Sequence, residues 1–305
     1  MESARRRWSA ASIVCALVVV ATGCSALTPT DGSSQTVYVT STVTTVTPGP
    51  VEQGGVGRPE TAQGTVSPAA EPTAGGADLD GLIGDISGPV GIAVTMVGGG
   101  SDVLWAGDLR SGVAWSTIKV PLAVAVARAT PSSLEAATTA ITASDNAAAE
   151  RLWDSLGGGA ASASGIGAVL ADGGDSITQV PTVRTRAEYS IFGQTQWPLV
   201  DQARFGSLLP CIGSSTRVLD LMGQVSPDQS WGLGRIPGAR FKGGWGPGES
   251  GGYLVRQFGI VPAVGGELAV AIAVESATFD DGVRALSGVA DALALQVPSI
   301  QGGRC

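Results

Sequence analysis

The apolar positions of this chain fall into blocks with different periods. Near the start, Arg5, Arg6 and Arg7 precede an apolar run from about Ala10 to Val20, and Ala21-Thr22-Gly23 then leads to Cys24. That order is the basic region, apolar core and cleavage zone of a secretory signal over residues 1–23, and the run is too short for a permanent bilayer span. From Ser25 to about Gly76 the pattern dissolves into Ser, Thr, Pro, Gly and Val with few large side chains. Such a segment cannot bury enough surface to offset its ordering entropy, so residues 24–76 read as a stalk. Its alternating stretch Val37-Tyr38-Val39-Thr40 is marginal as a strand without a partner.

From Ala77 onward the periods become regular. A short helix is predicted at 79–86, followed by apolar stretches at 91–97 and 103–107 on either side of Gly98-Gly99-Gly100-Ser101-Asp102, a hairpin signature. Ser116 opens an apolar helix to about Ala129, with Pro121 tolerable in or near the first turn. Helical patterns at 131–140 and 147–156 flank Ser144-Asp145-Asn146, and Gly157-Gly158-Gly159 stops the second. A loop-rich stretch from about Gly173 to Gln196 leads to a helix at 198–209. Strands are predicted at 240–244, 253–261 and 268–275, and a last helix at about 280–295. Strands at both ends with helices between define an α+β domain over residues 77–305, its terminal segments sharing one antiparallel sheet packed against a helical region.

Composition narrows the chemistry. The 305 residues are 44% hydrophobic and 14% charged, enough for a substantial core, and the formal net charge of −8 supplies no basic surface for nucleic acid. There is no histidine, which excludes Ser-His-Asp and Cys-His catalysis and His-containing metal sites. No metal or other cofactor is expected, and proton transfer falls to Lys, a carboxylate, Tyr, Ser or water. Lys119 and Lys242 are the only lysines. A chain that otherwise uses Arg for charge keeps Lys where a deprotonatable amine or compact ammonium is needed, although a coding bias toward Arg also explains the scarcity. Cys15 leaves with the signal, whereas Cys211 and Cys305 remain in the exported domain. An oxidising compartment favours one disulfide between them; the alternative is a buried free thiol at Cys211 and a frayed end at Cys305.

Three short signals occur in order: Ser116-Thr117-Ile118-Lys119 at a helix start, Ser144-Asp145-Asn146 between helices, and Lys242-Gly243-Gly244 on a strand. They match S-x-x-K, S-D-N and K-T-G. Singly each has a bland explanation, since Ser-Asp-Asn also caps helices and a strand lysine also guards a sheet edge. Together, and consuming both lysines, they resemble the penicillin-binding protein and class A β-lactamase superfamily across the whole folded region. The resemblance implies that Ser116 is the nucleophile and Lys119 its base, with Ser144 relaying a proton to the leaving nitrogen. It also implies that Asn146 bonds the substrate amide, that Lys242 and Gly244 belong to the substrate-binding strand, and that the backbone N–H groups of Ser116 and Trp245 form an oxyanion hole. Physically, a serine at a helix N-terminus meets the positive end of the dipole, a lysine three residues on shares its face, and burial can free that lysine of its proton. The small residues before Cys24 likewise resemble the bacterial lipobox, apart from Ala21 where Leu is usual. That resemblance implies lipidation of Cys24 and anchoring at the outer face of the cytoplasmic membrane.

The match has departures. The interval from Ser116 to Ser144 is short, which implies a more open cleft, and Gly243 replaces the family's threonine, deleting a hydroxyl. Arg256 on the next strand either compensates or is a solvated strand arginine. The family's deacylating glutamate would fall at 177–180, where no acid exists. Glu188 either reaches the site through a rearranged loop or pairs with Arg184 or Arg186 at the surface. The expectation is an envelope-anchored serine hydrolase acylated at Ser116 by β-lactams or D-alanyl peptides, with deacylation left open. The alternative is a non-catalytic lipoprotein that uses the same fold to bind peptidoglycan fragments or a protein partner.

Overall fold

The computed structural model describes residues 78–100, 102–248 and 251–305. The expected signal peptide, Cys24 and the stalk lie outside the described residues. The folded part opens with α1 (Leu79–Ile83), where the Asp78 side chain caps the helix by accepting from the Gly81 N–H. β1 (Val90–Met96) and β2 (Leu104–Gly107) form the predicted hairpin, and β3 (Arg240–Pro247), β4 (Tyr253–Ala263) and β5 (Gly266–Ser276) complete the sheet. The order is β2-β1-β5-β4-β3, antiparallel throughout. Ile92 pairs with Ile272, joining the two ends of the domain, and Gly244 of the edge strand β3 pairs with Arg256.

Between the hairpin and β3 run α2 (Lys119–Ala129), α3 (Ala137–Thr142), α4 (Asn146–Ser155), α5 (Gly159–Asp172), α6 (Leu199–Leu208) and α7 (Thr216–Met222), and α8 (Phe279–Gln296) follows the sheet. Both faces of the sheet are covered, which is why β1 and β5 read as unbroken apolar runs. Ile92, Val94, Val270 and Ile272 pack with Leu286, Val289 and Leu293 of α8, whereas Ala93, Ala271 and Ala273 join the larger cluster formed with α2, α4, α5 and α6. The alternation of large and small side chains along β5 therefore separates two cores.

Two helices depart from the pattern-based expectation. α5 is rich in Gly, Ala and Ser, which weakens its intrinsic preference and obscures its period. Packing supplies what propensity lacks: Ser162, Ala163, Ile166, Val169 and Leu170 are buried at helical spacing. α7 is a short element whose Val218, Leu219, Leu221 and Met222 are buried in the larger core cluster. The helices expected to begin at Ser116 and Pro131 each start as a 3-10 turn before the α-helix.

The chain's end is tied back twice. Cys211 and Cys305 form a disulfide with Cα atoms 5.3 Å apart, and Gly303 exchanges backbone hydrogen bonds of 2.9 and 3.0 Å with Glu267 at the start of β5.

Candidate active site

Ser116 sits in the 3-10 turn Trp115–Ile118 that runs directly into α2. The preceding Trp115 holds φ at +50°, a costly conformation for a residue with a side chain, and one that persists only when its surroundings over-determine it. A buried network does so. Thr117 Oγ1 donates to Ala114 O at 2.6 Å and accepts from Gln202 Nε2 at 3.0 Å. The Gln202 amide oxygen accepts from Arg256 Nη2 at 2.6 Å. Arg256 also donates to the carbonyls of Gly112 at 2.7 Å and Trp197 at 3.0 Å. Arg256 is therefore wholly buried, with burial lowering its guanidinium to about 9. It is neither a solvated strand arginine nor a substitute for the missing hydroxyl; its donors hold the main chain that delivers Ser116.

The edge strand β3 lies against this turn. A Cβ at Gly244 would stand 2.7 Å from Ala114 O and 2.9 Å from Ser116 N, so only glycine permits the approach. At Gly243, a Cβ would meet the Trp231 ring at 3.2 Å. The space a threonine would need is thus partly filled by an indole.

Both lysines converge on Ser144. Lys119 is the first residue of α2 and only 1% exposed. Its Nζ donates to Ser144 O at 2.6 Å and Asn146 Oδ1 at 2.7 Å, with Ser144 Oγ at 3.5 Å. It shares a cleft with Ser116, but among the described residues no hydrogen bond joins Nζ to Ser116 Oγ. Lys242 is fully buried and donates to Ser144 Oγ at 2.8 Å and Gly243 O at 2.9 Å. Burial brings Lys119 down from 10.5 to about 7 against the opposing pull of Asp145 and Glu150. Burial, and then the charge of Lys119, hold Lys242 well below 10.5.

The loop bearing Ser144 does double duty. Asp145 is the N-cap of α4, accepting from Ala148 N at 2.8 Å, which leaves its two neighbours to meet the lysines. Ser144 itself has φ +58°. Asp145 N bonds to Thr139 O at 3.1 Å and Gln229 Nε2 to Ala143 O at 2.9 Å, holding the strained residue from either side.

A cleft of about 400 Å³ is lined by Ser116, Lys119, Asn146 and Trp245, and on its far side by the loop that carries Glu188. Gln194 organises that loop. Its amide oxygen accepts from Arg186 N at 2.8 Å and its amide nitrogen donates to the carbonyls of Arg186, Tyr189 and Ser190, each at 3.1 Å. Asp175 anchors the loop's start, receiving Trp197 Nε1 at 2.8 Å and the N–H of Thr178 at 3.0 Å. Glu188 is exposed and lines the cleft. It pairs with neither expected arginine: Arg184 lies 3.9 Å from Glu150, and Arg186 donates to Pro247 O at 3.2 Å and stacks over Tyr189. Glu150 is a carboxylate of the cleft that the motif reading did not single out. The signal was present, because Glu150 follows Asn146 by one helical turn and so shares its side of α4.

The five-stranded antiparallel sheet with its helical cover is the fold seen in class A β-lactamases. No protein-family model matches the chain, and no curated protein does. Among solved structures, the β-lactamase of Sphaerobacter thermophilus is 19% identical with a TM-score of 0.56, the match covering 73% of this chain and 96% of that one. An ancestral class A β-lactamase is 18% identical with a TM-score of 0.54, covering 71% and 97%. A class A representative from Bacteroides cellulosilyticus is 15% identical with a TM-score of 0.55, covering 71% and 96%. At these identities the likeness speaks for the fold.

Proposed function

We propose that the domain is a serine acyl-transfer enzyme, acylated at Ser116 by β-lactams or D-alanyl peptides, and that it works at the outer face of the cytoplasmic membrane, held there through Cys24 and the stalk. The observation that carries the activity is the convergence of the chain's only two lysines on Ser144, with Lys119 lining the same cleft as Ser116. The location rests on the order of residues around the signal and Cys24.

With a pKa of about 7, Lys119 is neutral in a large fraction of molecules near neutral pH and can take the Ser116 Oγ proton once it turns from its carbonyl partners. Oγ then attacks the substrate carbonyl carbon, and the N–H groups of Ser116 and Trp245 stabilise the oxyanion. Collapse breaks the C–N bond, and the leaving nitrogen takes the Ser144 Oγ proton, which Lys242 replaces. Lys242 is buried with no carboxylate among the charges that act on it, so an anionic substrate group would supply the counter-charge it lacks. β-Lactams and peptide C-termini carry such a group.

One observation favours the non-catalytic reading: Lys119 Nζ is committed to Ser144 O and Asn146 Oδ1, with no hydrogen bond to Ser116. Intact-mass analysis after exposure to benzylpenicillin separates the two. Acylation predicts either an adduct that Ser116→Ala lacks or Ser116-dependent turnover. No reaction with β-lactams or D-alanyl peptides leaves the binding-module reading.

A further inference from the structure

We infer that Glu150, on α4, is the carboxylate that activates water for deacylation, in place of any residue of the loop where such an acid was sought. The inference deepens the acyl-enzyme reading above and rests on it.

Two glutamates line the cleft with Ser116. They differ in how they are held. Glu188 is exposed, on a loop. Glu150 stands one turn after Asn146 on a helix fixed at its start by the Asp145 cap and along its length by buried Ala148, Ala149, Leu152 and Trp153. Asn146 in turn is bonded to Lys119 at 2.7 Å, so the helix turn carrying Glu150 is indexed to the base of the acylation step. A catalytic group on a packed helix keeps its position better than one on a loop.

The Glu150 carboxylate is also available. Its nearest cation, Arg184 Nη2, is 3.9 Å away, and among the described residues no hydrogen bond occupies its oxygens. A half-buried carboxylate with open acceptor sites facing a polar cleft is suited to hold a water. Burial raises its pKa above 4.5 against the pull of Arg184, with Asp154 adding to the rise and Lys119 opposing it. A carboxylate raised above its ordinary value is a better proton acceptor.

In the step assigned to it, Glu150 takes one proton from water as the water oxygen bonds to the acyl carbonyl carbon. The tetrahedral species collapses with cleavage of the bond between carbon and Ser116 Oγ. The proton held by Glu150 returns to Oγ, and the product leaves as a carboxylic acid that ionises in solvent. Ester and water are consumed, acid and free serine are formed, and no co-reactant is needed.

The test follows acylation and release separately by time-resolved intact mass, using full-length protein and benzylpenicillin. Glu150→Gln is expected to acylate within about threefold of the parent but to release its adduct at least about 100-fold more slowly, the scale of a lost general base. Unchanged acylation also shows that the variant is folded. Glu150→Asp, which keeps a carboxylate one methylene back, is expected to recover part of the release rate. Release from Glu150→Gln at the parental rate overturns the proposal, as does stalling in Glu188→Gln instead. A parental adduct that persists for hours also overturns it while leaving acylation at Ser116 standing. A parent that never forms an adduct sinks the acyl-enzyme reading itself.

Discussion

Replacing Lys119 with Met is expected to stabilise the fold while abolishing acylation. Met is unbranched and of similar length, so the buried start of α2 stays filled. The ammonium binds its proton less tightly when folded, at about 7, than when unfolded, at 10.5. At about 1.4 kcal/mol per pH unit, that gap costs the folded state about 5 kcal/mol at and below neutral pH. Losing Nζ leaves the Ser144 carbonyl without its donor, which returns about 1–3 kcal/mol, so the net gain near pH 7 is about 2–4 kcal/mol. The sign of the pH dependence follows from the depressed pKa. Below about 7 both states are protonated and the penalty is complete; from 7 to 10.5 the unfolded chain holds more protons, so the parent gains stability as pH rises; above 10.5 the penalty is gone. Lys242 is present in both proteins, and removing the Lys119 charge relieves one of the two causes depressing it, which adds to the variant's advantage at low pH. The assay is urea unfolding at pH 6, 7, 8 and 9. The advantage of Lys119→Met should shrink by about 1.4 kcal/mol per unit above pH 7 and approach zero by about pH 9. A difference that does not vary with pH, or a variant less stable at pH 6, would refute the burial of a charged Lys119.

Two other substitutions probe the scaffold. Gly244→Ala places a methyl against Ala114 O and Ser116 N; acylation should fall by at least about 100-fold, because a displacement of about 1 Å at a reacting group has that effect, with about 1–3 kcal/mol lost from urea stability. Cys305→Ser removes a bridge across a sequence separation of 94, and the chain-entropy model puts the loss at about 4 to 5 kcal/mol. Parent and variant should then unfold alike once the parent is fully reduced, and unequal unfolding under reduction would assign the effect to the serine itself.

The sequence made the sheet legible because its strands are long, apolar and bounded by Gly and Pro, and the three motifs legible because their residue types are rare here. The single pair of lysines is the clearest case: both are buried, both meet Ser144, and Lys119 lines the cleft with Ser116. What stayed hidden depends on contacts between distant segments. α5 has no strong period of its own and is helical because α2 gives it a surface to pack on. In sequence Arg256 reads as either a substitute for the missing hydroxyl or a solvated strand arginine, because strand position says nothing about which carbonyls await a side chain. Glu150 lay outside every motif, and its standing comes from the orientation of α4, which the Asp145 cap and the buried side of the helix fix only in three dimensions.

The three buried cations show how the fold separates support from reactivity. Among the described residues Arg256 has no acidic partner; its two terminal nitrogens are met by a neutral cage of three main-chain carbonyls and an amide oxygen, Nε has no partner, and burial leaves the group with a pKa of about 9. An arginine in such a cage remains charged at neutral pH and acts as a fixed strut. The lysines have fewer carbonyl partners. Each has only one main-chain carbonyl, completed by a hydroxyl or an amide, and the charge of Lys119 acts against that of Lys242. Asp145 and Glu150 pull on Lys119, whereas no carboxylate is among the charges acting on Lys242, and the strain of burying the two ammonium groups can be met in two ways, by loss of a proton or by arrival of an anion. In the proposed reaction, proton loss at Lys119 yields the base and anion binding at Lys242 recruits substrate. Because the lysines are coupled, a neutral Lys119 makes it easier for Lys242 to stay charged. The protonation state that activates Ser116 is thus the same one that prepares the cleft for an anionic ligand.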